Sequence, residues 1–140
     1  MTEPTAAASA ASGRAGRVIG IGVDAVDVDR YRAVLARTPR LTERTFTSGE
    51  LEYARRQLDP TQRLAARFAA KEATMKALGV GLGACKLRDI EVVHEDDGRP
   101  RLALHAAAHD LATARGAKRF LVTMTHTDHV AIAYVAALDR

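Results

Sequence analysis

The chain has 140 residues, 47% of them hydrophobic and 27% charged, with a net charge of +4 and no tryptophan. That is enough for one domain with its own core, while no apolar run approaches the roughly 20 residues needed to cross a bilayer. The single Cys85 excludes an internal disulfide and fits a reducing cytoplasm, and the 21 Lys and Arg residues come without a basic run or interleaved aromatics, so a nucleic-acid surface is supported by charge alone.

Residues 1–16, rich in Ala, Ser and Thr, read as a disordered leader, and residues 17–140 as the folded domain. Val18 to Asp24 is a short apolar strand interrupted by Gly20 and Gly22, which marks a close approach of another backbone or a ligand. It is expected to end on Asp24, with Asp27 or Asp29 capping the next helix. There Val28, Tyr31 and Leu35 recur at helical spacing and Arg30, Arg32 and Arg37 face outward. Pro39 stops this helix, and a linker follows. Thr47-Ser48-Gly49-Glu50 is a capping box that starts a short helix running to about Gln57. Asp59-Pro60-Thr61-Gln62 starts a long helix, with Asp59 at the N-cap and Pro60 at the first helical position, and Gly79 ends it.

Within the long helix Leu64, Phe68, Met75 and Leu78 form an apolar stripe, and Lys71 falls inside it. Glu72 and Lys76, one turn apart, project from its flank. Taken alone, they read first as a surface ion pair, with Lys71 a snorkelling side chain, and only second as functional groups. Gly79, Gly81 and Gly83 form a loop. Beyond it, Asp89 to His94 and Pro100 to Leu104 are strands joined at Asp96-Asp97-Gly98. His105 to Arg115 is a helix. Phe120 to Thr125 and Val130 to Leu138 form a hairpin through His126-Thr127-Asp128-His129. The order β-α-α-α-β-β-α-β-β makes the fold class α+β, a small, mostly antiparallel sheet with packed helices.

Asp24 and Glu72 are the candidate carboxylates for one Mg²⁺, a hard ion that takes one or two protein carboxylates and completes its shell with water and phosphate oxygens. Lys71, Lys76 and His126 suit a polyphosphate substrate. A zinc site lacks its ligand spacing, and no Gly-x-Ser-x-Gly elbow is present.

Gly20-Ile21-Gly22-Val23-Asp24 with Arg30 resembles the first motif of the holo-[acyl-carrier-protein] synthases, the short members of the 4′-phosphopantetheinyl transferase family. Arg67-Phe68-Ala69-Ala70-Lys71-Glu72-Ala73-Thr74-Met75-Lys76-Ala77-Leu78-Gly79 resembles the second. Phe46 to Leu51, Asp89 to Val92 with Gly98 and Pro100, and Val122 to Thr127 extend the resemblance from Arg17 to the C-terminus. Thr125 stands where many members have Ser, and it keeps the hydroxyl.

The resemblance implies the phosphopantetheinyl transferase fold and transfer of 4′-phosphopantetheine from coenzyme A to a serine of apo acyl carrier protein. It implies Mg²⁺ on Asp24 and Glu72, and Lys76 on the phosphates, able to neutralise or protonate the departing 3′,5′-ADP. Arg67, Lys71 and His126 become further coenzyme A contacts. The general base is Glu72 or a metal-bound water. Arg30, Arg32 and Arg37 become a docking face for the acidic carrier. It further implies a cytoplasmic homotrimer with sites between protomers, Asp24 of one chain serving a site completed by Glu72 of another. The service is to fatty acid or polyketide carriers.

Overall fold

The computed structural model describes residues 15–140, so all but the last two residues of the expected leader lie outside it. Strand β1 (Val18–Asp27) runs into α1 (Val28–Arg37), followed by α2 (Arg40–Thr45), α3 (Ser48–Ala54) and α4 (Thr61–Leu78). A 3₁₀ turn (Leu87–Asp89) leads to β2 (Ile90–His94) and β3 (Pro100–Leu104). Then come α5 (Ala106–Ala114), β4 (Arg119–His126) and β5 (Val130–Leu138). The strands form two antiparallel sheets, one of three strands in the order β1-β5-β4 and one of two, β2-β3. The α+β expectation holds.

The long helix α4 is the centre of the packing. Thirteen of its 18 residues are buried, so it is covered on most sides and shows only weak amphipathicity. One side lies on the three-stranded sheet, and the glycines explain how closely. A Cβ on Gly20 would stand 1.9 Å from the Ala77 carbonyl oxygen, and one on Gly22 would stand 1.9 Å from that of Ala73. The glycines therefore admit the helix backbone, and the alanines of α4 pack against the chain's own strand. The other side meets α3 and the small sheet, where Phe46, Leu51, Ile90 and Val92 are buried. Gly79 closes α4 in the left-handed region at φ 69°, its N–H donating to the Lys76 carbonyl and that of Val80 to the Met75 carbonyl.

Four local expectations are corrected. The first strand does not end on Asp24 but continues to Asp27, whose side chain caps α1 by accepting from the Arg30 N–H. The linker after Pro39 holds the short helix α2, which carries no periodic apolar pattern. Helix α3 stops at Ala54, short of Gln57. Pro60, not Asp59, is the N-cap of α4. Asp59 still accepts a bond from the Thr61 N–H at 3.0 Å.

Candidate active site

Asp24 lies within β1, and Glu72 and Lys76 lie one turn apart on α4, where the glycine contacts bring strand and helix together. The alternation of β1 turns Asp24 to the α4 side, the side taken by Gly20 and Gly22. Lys76 Nζ donates to Asp24 Oδ1 at 3.1 Å and to the Val23 carbonyl at 3.0 Å. Partial burial holds the Glu72 carboxyl above the usual glutamate range. The charge of Asp24 pushes the same way, and Lys76 opposes both. Asp24 and Glu72 share a pocket of about 290 Å³ with Arg30, Tyr31 and Phe68. All three groups belong to one chain, so Asp24 and Glu72 meet without a second copy.

Two carboxylates, the charge of Asp24 raising the proton affinity of Glu72, form a hard, oxygen-only donor set. That fits Mg²⁺, which leaves the rest of its shell to water and phosphate. Among the described residues no three His, Cys, Asp or Glu side chains gather as a metal cluster.

The other expected site residues are distributed differently. Lys71 is fully buried on the α3 side of α4, bonded to Glu50 Oε2 at 2.9 Å. Arg67 is 2% exposed and points the same way, its guanidinium 4.3 Å from the centre of the Tyr53 ring. Burial holds the pKa of each below its ordinary value, and Glu50 opposes this in both. His126 ends β4, separated from β1 by β5 in the register His126–Ala131–Val26. The structure thus joins Asp24, Glu72 and Lys76 and leaves Lys71, Arg67 and His126 outside their cluster. Arg30 lines the pocket. Arg32 is bound to Asp29 at 2.7 Å and to Asp59 at 2.8 Å.

Residues 20–135 match the family model described as the 4′-phosphopantetheinyl transferase superfamily. The chain belongs to this superfamily. It is 44% identical over 118 residues to the holo-[acyl-carrier-protein] synthase of Moorella thermoacetica, covering 84% of this chain and 91% of that one. The crystal structure of the Neisseria meningitidis holo-[acyl-carrier-protein] synthase superposes with a TM-score of 0.78 at 31% identity, over 86% of this chain and 98% of that one. The Bacillus anthracis holo-(acyl-carrier-protein) synthase, in complex with CoA (3′,5′-ADP), superposes with a TM-score of 0.73 at 29% identity, over 88% and 98% of the two chains.

Two features of this transferase superfamily member were not legible as parts of a site. Glu50 was visible as the capping-box residue, and its side chain does accept from the Thr47 N–H at 2.9 Å. Its second role, accepting from the Val92 N–H at 2.9 Å and from Lys71, joins residues 42 and 21 positions away. Tyr53 stacks on His94 with ring centres 4.3 Å apart, and Arg56, Arg63 and Arg67 surround the tyrosine. Helical spacing relates Arg63 to Arg67, but nothing local relates either to His94.

Proposed function

We propose that this chain is a holo-[acyl-carrier-protein] synthase that transfers 4′-phosphopantetheine from coenzyme A to a serine of an apo acyl carrier protein. The observation that carries this reading is the convergence of Asp24, Glu72 and Lys76 at the crossing of β1 and α4. Mg²⁺, held by Asp24 and Glu72, would neutralise charge on the coenzyme A pyrophosphate. The serine oxygen attacks the β-phosphorus and the bond to the 3′,5′-ADP oxygen breaks. The serine proton passes to a general base, either the Glu72 carboxylate or a water at the metal site. Lys76, half-exposed on the same face, turns its ammonium to the departing phosphate. His126 supplies a further contact to coenzyme A, while Arg67, buried against Tyr53, supports the helix from the other side.

Arg30 and Arg37 form no ion pair among the described residues and are free to meet an acidic carrier, whereas Arg32 is engaged. The assembly is a trimer, supported by the outer face of the three-stranded sheet. Ile21, Tyr134 and Leu121 are 75%, 59% and 54% exposed there, around an apolar hollow of about 680 Å³. Trimer packing is what would bring His126 of one copy to the site of its neighbour. Among the described residues no helix is long and apolar enough to cross a membrane. The enzyme is proposed to serve fatty acid or polyketide carriers in the cytoplasm.

The test is intact-mass measurement of a panel of apo carriers after incubation with the protein, coenzyme A and Mg²⁺. A gain of one phosphopantetheine on a carrier is expected. No gain on any carrier overturns the reading. A bound but unreacted coenzyme A, insensitive to Mg²⁺, identifies a binding module instead.

A further inference from the structure

A primary ammonium has three N–H donors. Those of Lys71 face three acceptors inside the protein: Glu50 Oε2 at 2.9 Å, the Leu87 carbonyl at 3.1 Å and the Ile90 carbonyl. The side chain is fully buried, with the Phe46 ring 5.3 Å from Nζ. Lys71 has no donor left for a substrate phosphate and no path to one. Glu50 is held by three donors in turn, accepting from Lys71, from the Thr47 N–H and from the Val92 N–H. One ion pair thus fastens α4 to α3, to the 3₁₀ turn and to β2.

Burying such a pair gains little stability over an apolar pair of the same size, so its contribution is to be sought in geometry. The residue after Lys71 is Glu72, about 100° further round the helix, and Lys76 follows one turn later. On the opposite side Gly20 and Gly22 set the distance of α4 from β1, but a close backbone contact between small residues leaves rotation and sliding open. The lysine anchor removes those freedoms, because its three bonds are directional and reach three different elements.

We infer that Lys71 and Glu50 are a positioning pair: they fix the rotation and height of α4 so that Glu72 and Lys76 face Asp24. The inference rests on the transferase reading above. Neither residue touches substrate. The pair acts through the two functional groups that ride on the same helix.

The test is the neutral double variant Lys71→Met with Glu50→Gln, assayed beside wild type in one preparation. Thermal unfolding is expected to stay cooperative and near the wild-type midpoint. The KM for coenzyme A is expected to stay within about twofold while kcat falls at least about tenfold, the signature of misplaced groups rather than lost binding. Calorimetry with Mn²⁺, without carrier, is expected to show weaker binding as Glu72 turns away from Asp24. Should the double variant not fold, Glu50→Asp keeps the charge, shortens the reach by one methylene, and is expected to show the same split. A folded variant with wild-type kcat and Mn²⁺ affinity overturns the inference. Wild-type protein that transfers nothing overturns the transferase reading, and the Mn²⁺ comparison then still decides whether the pair positions Glu72.

Discussion

The ammonium of Lys76 lies 3.1 Å from Oδ1 of Asp24, although 52 residues separate them. On the helix alone, Lys76 pairs naturally with Glu72. In the folded chain it reaches across to the strand and also takes the Val23 carbonyl. The contact joins the two motifs that the sequence holds apart. It leaves Glu72 bonded to no basic side chain among the described residues, its proton affinity raised by burial and by Asp24.

Lys76→Met is therefore expected to remove a phosphate contact without unfolding the protein. The side chain is 53% exposed and its ion pair with Asp24 is worth at most about 1 kcal/mol. Transfer should fall by about a hundredfold or more, as when one preorganised charge is removed from a transition state. Single-turnover mass spectrometry checks the rate and urea unfolding checks the stability. A variant that is unstable in proportion to its inactivity would assign Lys76 a structural role.

The glycines of the first motif yield a prediction of the opposite kind. Gly22→Ala puts a methyl group 1.9 Å from the backbone oxygen of Ala73, and a backbone oxygen cannot swing aside. The helix must shift, at a cost of about 3 kcal/mol or more. Gly81→Ala, where the added methyl meets nothing within 4 Å, serves as the control and is expected to change little. Equal unfolding midpoints for the two variants would count against the packing account.

The same glycines show what was legible in the sequence. Period and turn chemistry located β1, α1, α3, α4 and the two hairpins, because each is specified within a few neighbours. Helix α2 was missed because its six residues, Arg40 to Thr45, span less than two turns and bury only Thr45. The division into two sheets was missed because strand pairing is non-local. Asp24, Glu72 and Lys76 were singled out together as candidates, through motifs that resemble a known family's, and the fold does bring the three side chains together. The surroundings of Lys71 were not legible. A lysine inside an apolar stripe has the same sequence signature whether its ammonium escapes to solvent or finds Glu50, 21 residues upstream.

Charge reversal separates the arginines of α1. Arg30 and Arg37 carry no ion pair among the described residues, whereas Arg32 is divided between Asp29 and Asp59. Arg30→Glu or Arg37→Glu is expected to raise the KM for an acidic carrier about tenfold or more, with the KM for coenzyme A unchanged, and the loss should grow at low salt. Arg32→Gln is expected to have a smaller effect on the carrier and a larger one on stability. Equal carrier effects from all three would mean that Arg32 leaves its partners on docking.

The outward apolar face of the three-stranded sheet predicts the assembly. Ile21→Asp places a charge in the middle of that face, next to β5 in the register Ile21–Ala136. In a trimer the buried charge would be uncompensated in every interface, so light scattering should report a monomer in place of three associated copies. An unchanged mass would locate the interface elsewhere or exclude one.

Asp59 gives a pH-dependent prediction whose sign is fixed by its contacts. Its carboxylate accepts from the Thr61 N–H at 3.0 Å, at the entry to α4, and pairs with Arg32, which together lower its pKa from 3.8 to about 2. A depressed carboxylate stabilises the fold at pH values above its unfolded pKa. That contribution is lost as pH falls from about 4 towards 2, where the folded form takes up its proton. The side chain is 55% exposed, so solvent screens the Arg32 pair, and most of the effect belongs to the bond at the helix start. Asp59→Ala is expected to cost about 1 kcal/mol at pH 7, the usual scale for a lost helix-start acceptor. The gap between variant and wild type, followed by urea unfolding, should close as the pH is lowered through this window. A gap that stays constant down to the acid limit of folding would mean that the carboxylate charge contributes nothing and that the alanine acts through the backbone alone.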